Sequence, residues 1–223
     1  MPVYIRFAKN CFWVYYSDNL GGCSVQIMFE LEGGTMSIRI DPFADYIRGV
    51  LIRNHRRVGD RHTDEWFNFE GAGLRFTPHF CQDFAAEIPE AWRDTTEFLV
   101  APGFVGGELA TGLGAILGIP VVRLFNRAQN CDPIDQKQAS EMKGKRCLLI
   151  DVCVETRATI AGAAATILQY RGSIIGALAI MDIKSNTNGR GPVRLPLGFE
   201  VKSCISRSIS YYTSDQCPVC KRR

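Results

Sequence analysis

The sequence predicts an α/β fold in which helices flank a parallel sheet and a β-rich N-terminal cap, or hood, precedes it. Three observations carry that prediction. First, an apolar run at residues 147–150 ends in Asp151, the pattern of a buried parallel strand with a carboxylate at its C-terminal end. An Ala-rich stretch at 160–169 follows, with Ile160, Ala164, Ile167 and Leu168 at helical spacing and a stop at Tyr170, Arg171 and Gly172. Residues 173–181 form a second apolar strand and complete a βαβ unit. Second, the same grammar occurs earlier: a strand at 98–101, a glycine-rich turn at 102–107, a helix at 108–117 ending at Gly118, and a strand at 119–125. Ligand is then expected beyond the strand ends at Ala101 and Asp151. Third, short alternating runs at 3–7, 12–16, 25–31 and 36–40, the last three separated by Gly-containing turns at 18–22 and 32–34, read as a small antiparallel sheet. The expected organisation is a cap with connecting helices at 1–95, an α/β core at 96–200, and a C-terminal tail at 201–223.

Composition narrows the function classes. With 223 residues and 46% hydrophobic content the chain can bury a substantial core. A formal charge of +3, from 26 basic and 23 acidic residues, is too balanced to indicate nucleic acid or a membrane surface by bulk electrostatics. There is no apolar run of the roughly 18 residues a spanning helix needs, and MPVYIRFAKN lacks a signal-peptide core, so a cytoplasmic location is expected. Cysteines number nine; those in apolar segments, Cys147 and Cys153 among them, read as reduced small hydrophobes.

Between cap and core, Pro42 precedes Phe43, Tyr46, Ile47, Val50 and Leu51 at helical spacing. A basic cluster follows: Arg53, His55, Arg56, Arg57, Arg61 and His62, either a solvated connection or an anion-binding patch. The spacing of His55, His62 and His79 matches no metal motif and argues against a His-based zinc enzyme. Trp66, Phe67, Phe69, Phe76 and Phe80 belong to a cap hairpin or a substrate-facing region, and 84–91 reads as a helix. Near the end, Cys217 and Cys220 have the spacing of half a zinc knuckle, two ligands of the four that zinc needs. Cys204 or another subunit could complete it; the other reading is a terminal turn of reduced cysteines.

Three stretches resemble one family. VAPGFVGGELATGLGAILGIPVV at 100–122, KGKRCLLID with the turn after it, and the SYY…CPVC tail are similar to the type I phosphoribosyltransferases, most of all the orotate phosphoribosyltransferases. The resemblance implies transfer of ribose 5-phosphate between pyrophosphate and a nitrogenous base, with phosphoribosyl pyrophosphate (PRPP) as donor, Mg2+ as cofactor and a homodimer as assembly. It implies Asp151 at the ribose, the 156–159 turn (Thr156, Arg157, Ala158, Thr159) at the 5′-phosphate, Gly103, Gly106 and Gly107 at the pyrophosphate, and Arg127 and Lys137 acting from a loop. The sequence also departs from that pattern. Ile150 stands where the family has a second acid, the turn VETRAT lacks glycine, and Asn126, Gln129 and Cys131 replace the loop's lysines and histidine. The alternative is therefore a non-catalytic module of this fold that binds a nucleotide or regulates a partner.

Overall fold

Strands β1 (Val3–Phe7), β2 (Asn10–Ser17), β3 (Ser24–Leu31) and β4 (Gly34–Ile40) form a four-stranded antiparallel meander in the computed structural model. The structure describes residues 3–7, 10–17, 24–31, 34–40, 43, 51–53, 55–58, 61–63, 65–69, 76–127, 130–185 and 197–222. The expected strands at 3–7, 12–16, 25–31 and 36–40 all lie within this meander. Most of the helix expected after Pro42 falls outside the described residues; Phe43 is helical and buried. Leu51, expected in its last turn, instead belongs to β5 (Leu51–Ile52), which pairs with β8 (Trp66–Phe67). The basic cluster folds into a hairpin of β6 (Arg56–Val58) and β7 (Arg61–Thr63).

Where one helix was expected at 84–91 there are two, α1 (Pro78–Ala86) and α2 (Glu90–Arg93). Pro89 separates them, because its ring and missing N–H cannot continue α1. Thr77 begins α1 by accepting a hydrogen bond from the Phe80 amide at 3.2 Å.

The core comprises β9 (Phe98–Pro102), α3 (Phe104–Leu117), β10 (Val121–Arg127), β11 (Asn130–Pro133), α4 (Gln136–Ser140), β12 (Arg146–Val154), α5 (Ala158–Gln169), β13 (Ser173–Ser185) and β14 (Val201–Ile209). Its six-stranded sheet runs β11-β10-β9-β12-β13-β14, parallel throughout except for the β10–β11 hairpin. Residues alternate between two apolar layers, as in a sheet covered on both faces. Leu99, Ala101, Leu148 and Ile150 join α1 and α3 on one face, while Phe98, Val100, Cys147 and Leu149 join Ile160 and Ile167 of α5 on the other. β14 pairs with β13 from Ala177↔Val201 to Ser185↔Ile209, so the sheet continues past residue 200 into the stretch read as tail. Among the described residues no helix is long and apolar enough to cross a membrane.

Candidate active site

β9 and β12 are neighbours at the centre of the sheet, and their crossovers diverge. The chain leaves β9 through α3 to reach β10 on one side, and leaves β12 through α5 to reach β13 on the other. Such divergence opens a crevice at the strand ends. A cleft of about 370 Å³ lies there, lined by Pro102, Gly103, Phe104, Gly106, Asp151, Cys153 and Thr159 from the core, and by Arg56, Trp66, Phe67 and Phe69 from the cap.

Asp151 is the buried acid of this cleft, only 8% exposed. Its Oδ1 accepts from the Val152 amide at 2.7 Å. Burial raises its pKa to about 7, against the opposing pull of backbone hydrogen bonds from Val152 and Cys153. Near neutrality the group therefore exchanges between a proton donor and a carboxylate. Burial, reinforced by Asp151 and Glu155, pushes the neighbouring Cys153 thiol well above its usual range, so it supplies no thiolate nucleophile.

The glycines of the 102–107 turn divide by role. Gly103 has φ 76° and ψ 173°, which a residue with a Cβ adopts only under strain, and it opens α3 by donating to Leu124 O at 2.9 Å. Gly106 faces the acid: a Cβ there would lie 3.8 Å from Asp151 Oδ1. Gly107 does not line the cleft. A Cβ on it would meet Arg123 Nε at 2.6 Å, so its smallness serves the packing of α3 on β10.

The turn after β12 has found a glycine-like conformation without glycine. Arg157 takes φ 67° and ψ 7°, the left-handed region, and stands at the N-cap of α5 with no side-chain capping bond. Its Nε is buried without a hydrogen-bond partner. Thr156 Oγ1 accepts from the Ala158 amide at 3.1 Å, which occupies one donor of the first helical turn. Thr159 reaches the cleft, whereas Thr156, Arg157 and Ala158 are not among its lining residues. Glu155, at the start of this turn, accepts a hydrogen bond from the Tyr211 hydroxyl. Arg157→Gly is expected to stabilise the chain by about 1 kcal/mol, the cost of a left-handed residue bearing a Cβ. Urea denaturation checks this; a lower midpoint in the variant would mean that the side chain contributes more than the strain costs.

The stretch read as a cation-bearing loop is folded. β10 and β11 form a hairpin with Arg127↔Asn130 as its last pair, and Asp135 caps α4 by accepting from the Lys137 and Gln138 amides. Cys131 is buried: its carbonyl accepts from Thr166 Oγ1 and its Sγ donates to Thr159 O at 3.7 Å, which docks the hairpin on α5. Burial explains why a cysteine replaces a charged residue here, and it pushes the thiol up to about 11. Lys137 is exposed on α4 and does not line the cleft. The cation that does is Arg56, whose guanidinium lies 4.2 Å from the Trp66 ring centroid. The basic cluster and the aromatics after it were the sequence signals for this wall; Phe104, exposed at the glycine-rich turn, gave none.

Four metal-ligating side chains meet where cap and tail join. His55, His62, Cys217 and Cys220 present ligand atoms that all lie within 4.8 Å of one another. The histidine spacing alone matched no motif because the other two ligands come from the opposite end of the chain.

The sheet order, the crossovers and the cleft between them define the type I phosphoribosyltransferase fold, and the chain has that fold. Adenine phosphoribosyltransferase from Thermoanaerobacter pseudethanolicus superposes with a TM-score of 0.54 at 14% identity, covering 74% of this chain and 99% of that one. Orotate phosphoribosyltransferase from Mycobacterium tuberculosis H37Rv, in complex with inorganic phosphate, gives 0.51 at 13% identity over 74% and 94%. In sequence the chain is similar to a protein of the same family. It is 20% identical over 174 residues to an orotate phosphoribosyltransferase of Desulforamulus reducens, across 77% of this chain and 85% of that protein. No protein-family model matches.

Proposed function

We propose that the cleft binds a ribose 5-phosphate group and that the chain transfers it between pyrophosphate and a nitrogenous base. The observation that carries this reading is the convergence of Asp151, the glycine-rich turn before α3 and Thr159 in the first turn of α5 on one crevice at the switch point. Each has a chemical task there. Asp151, when ionised, accepts hydrogen bonds from ribose hydroxyls. The N-terminus of α5 favours a phosphate, and Thr159 in its first turn brings a hydroxyl to the cleft. Gly103 and Gly106 let a pyrophosphate approach backbone closely. Trp66, Phe67 and Phe69 offer flat apolar surface for a base, and Arg56 supplies positive charge where the family's loop would.

Mg2+ fits this cleft in a limited way. It typically takes one or two carboxylates together with substrate phosphates, and among the residues lining the cleft Asp151 offers one. Bound there, the ion would supply neutralising charge for a departing pyrophosphate. Arg127 and Lys137 are assigned to leaving-group stabilisation only if the hairpin rearranges on binding. The homodimer and cytoplasmic setting that the family likeness implies belong to this proposal.

Calorimetry of PRPP with Mg2+ tests it. Wild type is expected to bind, and Asp151→Ala to bind at least about tenfold more weakly, the loss of a charge-assisted hydrogen bond. No heat at millimolar PRPP would overturn the reading, and unchanged binding in the variant would move the site. A second reading, binding without transfer, is favoured by the lone acid at the end of β12 and by the folded hairpin. Tight binding with no pyrophosphate released from PRPP with any base of a purine and pyrimidine panel would select it.

A further inference from the structure

We infer that His55, His62, Cys217 and Cys220 are the four ligands of a structural zinc ion that clasps the cap to the C-terminal tail. The four come from distant parts of the sequence, yet their ligand atoms all lie within 4.8 Å of one another. His55 Nε2 lies 2.9 Å from His62 Nδ1, His62 Nδ1 lies 3.2 Å from Cys220 Sγ, and Cys220 Sγ lies 3.5 Å from His55 Nε2. Ordinary hydrogen bonding does not account for that triangle. A neutral imidazole nitrogen either donates one proton or offers one lone pair and the thiol has one proton, so at most two of the three edges can hold a linear hydrogen bond. A cation at their centre makes every lone pair point at a positive charge. The edges of a tetrahedron with Zn–N about 2.05 Å and Zn–S about 2.3 Å are roughly 3.3 Å for N to N and 3.5 Å for N to S; the N to S edges here, 3.2 and 3.5 Å, lie near that, and the N to N edge of 2.9 Å would open by a few tenths of an ångström around an ion.

Burial agrees. Cys217 is fully buried and His62 nearly so, as in a closed structural site with no open coordination position. The backbone presents the ligands as well. The β6–β7 hairpin folds His62 back beside the start of β6, next to His55. Residues His62 and Tyr212 exchange both backbone hydrogen bonds at 2.8 Å, which brings the tail alongside that hairpin. The Lys221 amide then donates to Cys217 O at 3.1 Å, closing the turn that carries both thiols.

The clasp adjoins the cleft along the chain on one side and the turn before α5 on the other. His55 precedes Arg56, which lines the cleft, and Tyr212 follows Tyr211, which bonds Glu155 in the turn before α5. Zinc binding releases the protons of the two thiols and leaves both imidazoles neutral, so the two thiolates balance the charge of the ion. Soft thiolates with imidazoles in tetrahedral array select Zn2+ over Mg2+ or Ca2+.

The test uses the full chain purified under reducing conditions from zinc-supplemented cells. Elemental analysis is expected to find one zinc per chain, and Co2+ exchanged into the site is expected to give the visible bands of a tetrahedral ion with a thiolate charge-transfer band. Cys220→Ser and His62→Asn should each lose the stoichiometric metal, whereas His79→Asn, whose imidazole is exposed beside Asp83, should retain it. Chelation should lower the melting temperature of wild type and leave that of Cys220→Ser unchanged. The wild-type spectrum decides the matter even where a variant fails to fold. Zinc well below stoichiometry together with an octahedral or absent Co2+ spectrum would overturn the inference, as would a Cys217–Cys220 disulfide in metal-free protein that resists reductant.

Discussion

Asp151→Asn is expected to make the ligand-free protein more stable than wild type at pH 8 and to remove a pH dependence that wild type shows. Burial raises the folded-state pKa of Asp151 to about 7, while an unfolded aspartate titrates near 4. The folded chain therefore holds this proton more tightly than the unfolded one. That stabilisation is fully present below about pH 4 and is lost as the pH rises through about 7. Between pH 5 and pH 8 the loss amounts to about 2–3 kcal/mol, and asparagine, which does not ionise, escapes it. Urea denaturation of both proteins at the two pH values measures the difference directly; parallel stability curves would show that Asp151 is already ionised at pH 5. Ligand binding should run the other way. On the proposed function ribose hydroxyls favour the carboxylate, so binding releases a proton, affinity weakens as pH falls below about 7, and the asparagine variant loses that response. An acid kept partly neutral in the apo cleft is thus a cost to the empty site that ligand removes.

Gly114→Val carries the other large effect, through packing. In the last turn of α3, a Cβ at Gly114 would lie 2.5 Å from Val121 Cγ2 and 2.7 Å from Ile119 O. The second of these is backbone, held in place because the Ile119 amide itself donates to Gly114 O at 3.1 Å. Helix and strand approach this closely because Gly118, left-handed at φ 68°, turns the chain straight from α3 into β10. A valine would force α3 away from the sheet and is expected to cost about 3 kcal/mol, the upper range of overpacking. Ala115→Val, one residue along on the exposed face, should cost less than about 1 kcal/mol, its helix propensity alone. Equal midpoints for the two variants in guanidinium denaturation would contradict this packing. Because α3 starts at the glycine-rich turn, the same shift should widen the cleft and weaken whatever it binds.

The architecture was legible because its determinants are local. Apolar runs bounded by Gly118 and Gly172, the Ala-rich stretch of α5 and the alternation in the first forty residues each fix the state of their own segment, and two βαβ units leave little choice of topology. Asp151 was legible for the same reason, as an acid closing an apolar run. What misled the reading were positions whose role depends on a partner far along the chain. Cys131 and the absent loop lysines suggested altered catalytic chemistry, but the segment is a hairpin docked on α5 through Cys131 and Thr166. Gly107 looked like a ligand glycine and is a packing glycine against Arg123. The turn VETRAT lacks the family's glycines, and Arg157 takes a left-handed conformation there all the same.

By itself, then, the sequence determined the four cap strands, the two βαβ units of the core, their order and the end of the sheet at which a ligand should lie, since periodicity, caps and turn residues act over a few neighbours. The tertiary structure decided the rest: that Arg56 and the cap aromatics face Asp151 across the cleft, that Tyr211 holds Glu155, and that His55 and His62 meet Cys217 and Cys220. Each of these pairs residues many positions apart, and their separation is set by how the cap and the tail fold onto the sheet, a quantity that spacing along the chain does not encode.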